Sequence, residues 1–303
     1  MPTILNIALT SLAILLALIL ITAWLISGMI IRRRKPDPPS TPADHGLPYE
    51  HVTFAARDGV QLGGWLVAEK GSRRPTVIFC PGISGSMDGD THFLPTFSAA
   101  GFDVLQFDWR AHGISNGQRC TFGVREVNDV LGAVDLLQSL GITKIGLMGF
   151  SMGGAVALRA AARDARILCV VSDGGFVHVS HAIGGFMREK VGLLGLILTP
   201  LVLWMTRLRL GGLDLREADP LNEVGKIAPD VLIRTRPVLF IHGSDDPYIP
   251  INDQKAIYAA AGEPKSLWRV DGAGHREAHE RAPEEYRQKV IGFFKTYLRE
   301  TNR

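Results

Sequence analysis

Gly149-Phe150-Ser151-Met152-Gly153-Gly154 sits where a strand pattern meets a helix pattern. Ahead of it, Lys144-Ile145-Gly146-Leu147-Met148 reads as a short apolar strand with a charged lead-in. Behind it, Ala155 to Ala162 is alanine-rich and carries no helix breaker, so a helix is expected there. A G-x-S-x-G serine at such a junction stands on a sharp turn above the sheet edge. The small flanking residues let strand and helix approach, and the next backbone N–H points toward a developing oxyanion. The competing reading is a glycine-rich turn of any α/β protein; the strand before it and the helix after it weigh against that.

Toward the N-terminus the chain changes character. No side chain from Met1 to Ile31 is charged, and most are Leu, Ile, Ala or Trp. A bilayer core takes about 20 apolar residues, so 1–31 is read as one transmembrane anchor. A cleaved signal peptide would carry basic residues ahead of a shorter apolar run and an A-x-A-like site, and none is evident. Arg32-Arg33-Arg34-Lys35 follows instead, which by the positive-inside rule keeps the remainder cytoplasmic. Four prolines between Pro36 and Pro42 make 32–48 a basic, Pro-rich linker, expected to be stiff and to hold the folded part off the membrane.

At 303 residues, with 46% apolar and 21% charged, the chain can bury a core of its own. Its net charge of +3 is owed to the basic cluster, without which the chain is one charge negative; no basic patch remains for nucleic acid. Cys80, Cys120 and Cys169 are odd in number and widely spaced, which indicates neither a disulfide framework nor a zinc ribbon.

Beyond Tyr49, short apolar runs alternate with helical ones. Val52–Ala56 and Val60–Ala68 read as a hairpin across Asp58-Gly59. Strands are expected at Thr76–Cys80, Phe102–Phe107, 144–149, 167–172, 237–242 and 266–270. Val124, Val127, Val130, Leu131, Val134, Leu137 and Leu140 mark one amphipathic helix. Tyr286, Val290, Phe293, Phe294 and Tyr297 mark the face of the last, about Pro283 to Leu298. The alternation indicates a mostly parallel sheet covered on both faces. Between Asp173 and Pro237 it breaks. There Val191 to Thr206 is uncharged but short for a second span and interrupted by Pro200, so it is either a lid over the carboxyl edge of the sheet or ordinary core helices of an insertion.

Sites in α/β sheets lie beyond the carboxyl ends of the strands. Ser151 follows one strand, Gly243-Ser244-Asp245-Asp246-Pro247 another, and Asp271-Gly272-Ala273-Gly274-His275 a third. Ser, Asp and His in that order are a nucleophile, an acid and a base. A serine hydroxyl needs an imidazole to take its proton, and the imidazole needs a carboxylate to orient it and stabilise its charged form. Asp173 is a positional rival for the acid. His279, His242 and His112 are weaker candidates for the base, at a surface, a strand end and a rim. His275-Arg276-Glu277-Ala278-His279 has arginine where H-E-x-x-H needs glutamate, and His178 with His181 lacks a third ligand. No metal and no cofactor is expected.

Gly-Phe-Ser-Met-Gly-Gly, Phe-Ile-His-Gly-Ser-Asp-Asp-Pro-Tyr-Ile-Pro and Gly-Ala-Gly-His resemble three signature blocks of the α/β-hydrolase superfamily, over about residues 50 to 300. More narrowly the chain is similar to the serine aminopeptidase or lysophospholipase-like branch, including members with an N-terminal membrane anchor. Asp108-Trp-Arg-Ala-His-Gly113 resembles that branch's D-x-R-G-x-G block, with Ala111 for a usual glycine. The resemblance implies an α/β-hydrolase fold over 49–303, with a mostly parallel eight-stranded sheet, helices on both faces and an inserted lid at about 175–230. The family block selects Asp246 over Asp245 as the acid. It also implies that Ile83 and Met152 supply the two oxyanion N–H groups, although Pro81-Gly82 stands where many relatives have His-Gly, which leaves open what braces that loop. The expected function is a membrane-anchored serine hydrolase of carboxylic esters, lipid-derived ones included, with Ser151, Asp246 and His275 catalytic. A peptidase, a thioesterase or acyltransferase, and a non-catalytic tethered binding module are the alternatives.

Overall fold

The structure, a computed structural model, describes residues 2–224 and 236–299. Met1, the expected lid boundary near 230 and the last four residues lie outside them. A long helix α1 (Pro2–Ile31) precedes the hairpin β1 (Glu50–Ala55) and β2 (Gln61–Val67). There follow β3 (Thr76–Cys80), α2 (Leu94–Ala99), β4 (Asp103–Phe107), α3 (Val127–Ser139), β5 (Ile145–Phe150), α4 (Met152–Arg163) and β6 (Ile167–Asp173). Helices α5 (Val179–Val191), α6 (Leu194–Arg209) and α7 (Leu221–Val224) form the insertion. The chain then runs through β7 (Val238–Gly243), α8 (Ile251–Ala260), β8 (Lys265–Val270), α9 (Ala278–Arg281) and α10 (Pro283–Arg299).

The eight strands make one sheet in the order β1-β2-β4-β3-β5-β6-β7-β8. β1 and β2 run antiparallel to each other, as do β2 and β4; every pairing from β4 to β8 is parallel. Side chains on a strand alternate between faces, and here both faces are apolar. Ile78, Leu147 and Phe240 enter one cluster with α3, α4 and α5. Val77, Phe79, Met148 and Phe150 enter the other with α2 and α10. This is the α/β-hydrolase fold, and it sets β3, β5, β7 and β8 with their carboxyl ends at one edge.

Two helix faces differ in detail from the sequence expectation. α3 starts at Val127, so Val124 lies in the preceding turn, and Leu140 is exposed rather than core. On α10 the buried stripe is Tyr286, Val290, Ile291, Phe294 and Leu298, with Phe293 and Tyr297 at its margin. In the insertion, α6 runs through Pro200. Ile183, Met187, Leu198, Val202 and Met205 join the core, whereas Leu193, Ile197, Trp204 and Leu208 are exposed.

The Pro-rich stretch departs most from expectation, because it lies on the folded body instead of standing it off. The Arg33 guanidinium donates to the carbonyls of Gly113 and Ser115 at 2.6 and 2.8 Å. Asp37 and Ser40 are bonded to the segment Ser86–Thr91. Proline stiffens a chain but does not keep it solvated when its polar neighbours find partners. At the sheet's other end, Asp164 is held by Arg57 and Arg166 at 2.8 and 2.6 Å. Burial opposes its ionisation, but the bonds from Arg166 and Arg57 prevail and lower its pKa to about 2.

Candidate active site

The turn after β5 is built by close approach. A Cβ on Gly149 would meet the Gly153 carbonyl, and one on Gly153 would meet the carbonyl of Cys80, so only glycine lets α4 start this near β3 and β5. Between them Ser151 takes φ +52°, a left-handed value that strains a non-glycine residue. Its N–H is tied to the Asp173 carbonyl at 2.8 Å, and the residue stays partly exposed at the edge.

The loops after β7 and β8 close on that serine. His275 Nε2 lies 2.8 Å from Ser151 Oγ, and His275 Nδ1 lies 2.7 Å from Asp246 Oδ2. The other carboxylate oxygen, Oδ1, accepts the backbone N–H groups of Tyr248 and Ile249 at 2.8 and 3.0 Å. Asp246 is fully buried and His275 16% exposed at the side chain. Burial alone would raise the carboxyl pKa. The bond to His275 and the two N–H groups outweigh it and hold Asp246 below the usual carboxylate range. The Tyr248 ring packs edge-on against His275 with centroids 5.1 Å apart, and Phe186 of α5 lies 6.4 Å beyond it. Such a chain of bonds can draw a proton from the serine hydroxyl and steady the imidazolium that results.

The rivals lie elsewhere. Asp173 accepts the Tyr286 hydroxyl at 2.8 Å, fully buried, with burial pushing its carboxyl up. Asp245 accepts from Ser244 Oγ at 2.7 Å. His279 Nδ1 lies 2.9 Å from the Arg276 carbonyl, and His242 is buried at the end of β7 with Nδ1 unpartnered among the described residues. His178 pairs with Asp219 and His181 with Asp253, at 3.0 and 2.7 Å.

Met152 opens α4, and Ile83 follows Gly82, whose Cβ position would lie 3.8 Å from Ser151 Cβ. What holds that loop is plain from its partners. Trp109 Nε1 donates to the Pro81 carbonyl at 2.9 Å, and His112 Nε2 lies 2.9 Å from the Ile83 carbonyl. Asp108 accepts the Met87 N–H at 2.7 Å, while Gln106 donates to the Met87 carbonyl at 2.6 Å. The block 108–113 thus braces the loop from below. Ala111 in that block has φ +58°, the conformation for which glycine is the unstrained choice.

Three residues escaped the sequence reading. Arg276, next to His275, donates to Asp90 Oδ1 at 2.5 Å and lies over Phe150 at 4.6 Å, so it joins the base loop to the loop after β3. Its Nη1 is 3.2 Å from the Cβ position of Gly82. Asp37 accepts the Ser86 N–H at 2.8 Å and returns its own N–H to Ser86 Oγ at 3.0 Å. Only the unusual proximity of an arginine to the predicted base could have hinted at the first; nothing local pointed to Asp37 or Asp90.

A family model described as the alpha/beta hydrolase fold matches residues 75–193. A protein of Bacillus subtilis (strain 168), called uncharacterized protein YqkD, is 29% identical over 239 residues, covering 78% of this chain and 75% of its own length. Uncharacterized protein YfhR of Escherichia coli (strain K12) is 26% identical over 263 residues, 84% of this chain and 83% of the relative. Among solved structures, the Pyrococcus furiosus esterase Pf2001 superposes with a TM-score of 0.71 at 26% identity, over 88% of this chain and 98% of that one.

Proposed function

We propose that this chain, whose matches support membership of the α/β-hydrolase superfamily and which has esterase-like structural neighbours, is a membrane-anchored serine hydrolase of carboxylic esters. The reading rests chiefly on one observation: Ser151, His275 and Asp246 lie in an unbroken chain of hydrogen bonds of 2.8 and 2.7 Å. Ser151 Oγ attacks the ester carbonyl carbon while its proton passes to His275 Nε2. Asp246 keeps the Nδ1 proton of the base in place and balances the imidazolium charge. Backbone N–H groups of Ile83 and Met152 receive the oxyanion. His275 then protonates the departing alkoxide, leaving an acyl-serine. Water, giving its proton to His275, attacks the acyl carbon, and the carboxylic acid leaves as the proton returns to Ser151.

Helix α1 is long and apolar enough over Thr3–Ile31 to cross a membrane, and its large apolar side chains from Ile4 to Leu18 are exposed. With Arg32–Lys35 after it, it supports a single-pass anchor with the folded part on the cytoplasmic side. The lysophospholipase-like branch is favoured within the superfamily, since the exposed apolar side of α6 suits lipid-derived esters better than peptides. The test is labelling with a fluorophosphonate probe alongside hydrolysis of p-nitrophenyl esters of rising chain length. Wild type should label and turn over, and Ser151→Ala should do neither. Absence of labelling and hydrolysis in the wild type would overturn the assignment in favour of a tethered binding module.

A further inference from the structure

Outside α1, most of the exposed large apolar side chains among the described residues fall in one stretch of the insertion, from Phe186 to Leu208; Ile114 and Leu140 are the exceptions. Leu193, Ile197, Trp204 and Leu208 are 77%, 64%, 55% and 53% exposed. Stray surface hydrophobics need no explanation, but a cluster on one helix does. Its position supplies one. α1 packs against α6, and from Ile19 onward α1 shares the core cluster that contains Leu198, Val202 and Met205.

Arg209, at the end of α6, fixes the level of that contact. Its guanidinium donates to Ser27 Oγ and to the Trp24 carbonyl, each at 3.0 Å, and lies 3.6 Å above the Trp24 ring. Tryptophan and arginine together are what a helix presents at the boundary between acyl chains and headgroups. A cleft of about 500 Å³ at the same place is lined by Arg119, Arg125 and Arg209, and basic recesses beside a membrane-crossing helix suit lipid phosphates.

Lengths agree with that boundary. At about 1.5 Å per residue, the part of α1 before Trp24 spans roughly 33 Å, against a hydrocarbon core of about 30 Å. α1 joins the core cluster that holds the buried side of α6 five residues earlier, at Ile19. Five residues are roughly 7 Å, within the depth of about 5–10 Å reached by helices that lie in the interface. Had the bilayer ended above α6, only the residues before Ile19, roughly 25 Å of helix, would remain to cross it.

We infer that the exposed side of α6, with Leu193, Ile197, Trp204 and Leu208, is embedded in the cytoplasmic leaflet of the bilayer that α1 crosses. The insertion is then a second, monotopic membrane contact, and Phe186 and Tyr248 link it to His275. This rests on the reading of α1 as a membrane span.

The three native cysteines are buried, so a cysteine placed on the surface can be labelled selectively. Full-length Leu12→Cys, Ile197→Cys and Leu140→Cys, each carrying a nitrobenzoxadiazole dye, would be reconstituted in phosphatidylcholine–phosphatidylglycerol vesicles. Quenching by nitroxide-bearing lipid is compared with quenching by aqueous iodide. The expected result is loss of fluorescence to the lipid quencher at positions 12 and 197, and to iodide at 140. Lipid quenching at 12 with iodide quenching at 197 would overturn the embedding and leave the anchor standing. Protection of 197 from both quenchers would overturn it in favour of a protein on this face. Iodide quenching at 12 would remove the anchor, and the embedding with it.

Discussion

At the carboxyl edge of the sheet Asp246 has no exposed side-chain surface and both of its carboxylate oxygens are bonded; in the insertion, Leu193 just ahead of α6 and Ile197 on it lie 77% and 64% exposed. The first region is finished by the chain itself. Ser151, His275 and Asp246 are paired there at hydrogen-bond distance, so they are oriented before any ligand arrives. The second is finished only by something outside the chain. The difference separates two tasks that meet at Tyr248: holding reacting groups still, and meeting an apolar phase.

Several substitutions would break or sharpen that contrast. The largest effect belongs to Ser151→Ala, expected to lower kcat on p-nitrophenyl acetate by on the order of 10⁶-fold with an unchanged melting temperature. Asp246→Asn should cost about 10⁴-fold, because the imidazole then loses the group that fixes its tautomer; slowed fluorophosphonate labelling at unchanged circular dichroism would register it. Because Asp246 is held below the usual carboxylate range, its charge persists as pH falls to that range and is lost only beneath it. The acid limb of the wild-type rate profile should therefore not report Asp246.

A smaller effect is expected at the clamp on the loop after β3. Asp37→Ala removes the acceptor for the Ser86 N–H, and a loop displaced by as little as 1 Å costs up to about 10²-fold. The loss should appear in kcat with KM held, and Asp37→Asn, which keeps one acceptor oxygen, should restore part of it. On the other side of the comparison, Ile197→Ser should leave turnover of a water-soluble ester within about twofold, as surface changes do. A loss as large as that of Asp37→Ala, measured on the same soluble ester, would show that α6 belongs to the rigid rim after all.

The least effect is one of stability. Asp164, with a pKa lowered to about 2, contributes stability that is complete above the ordinary carboxylate pKa of about 3.9 and is lost as pH falls toward 2. Melting temperatures of wild type and Asp164→Asn should differ at neutral pH and converge in acid. A difference that stays constant across that window would show that the ion pairs with Arg57 and Arg166 are not its source.

The strands and the elbow were legible because their causes are local. Phe79 and Met148 lie in apolar runs bounded by turn residues, and Ser151 sits among glycines that no other residue could replace beside Cys80 and Gly153. Asp246 and His275 were legible as positions after strands. The expectation that the linker stands away from the folded part missed Asp37 and Ser40, whose partners Ser86, Asp88 and Thr91 are about fifty residues away. The reading of the insertion as core helices holds for one side of α6, where Leu198, Val202 and Met205 are buried, while Ile197, Trp204 and Leu208 on the other side are exposed.

Spacing and residue type by themselves therefore determined the alternation of strand and helix, the apolar head and the serine at its turn, because periodicity and steric need act over a few neighbours. Tertiary structure decided which carboxylate faces His275, that Arg276 and Asp90 tie two loops together, and that α1 lies along α6. Those choices depend on which distant groups arrive at hydrogen-bond distance, and no local pattern encodes that.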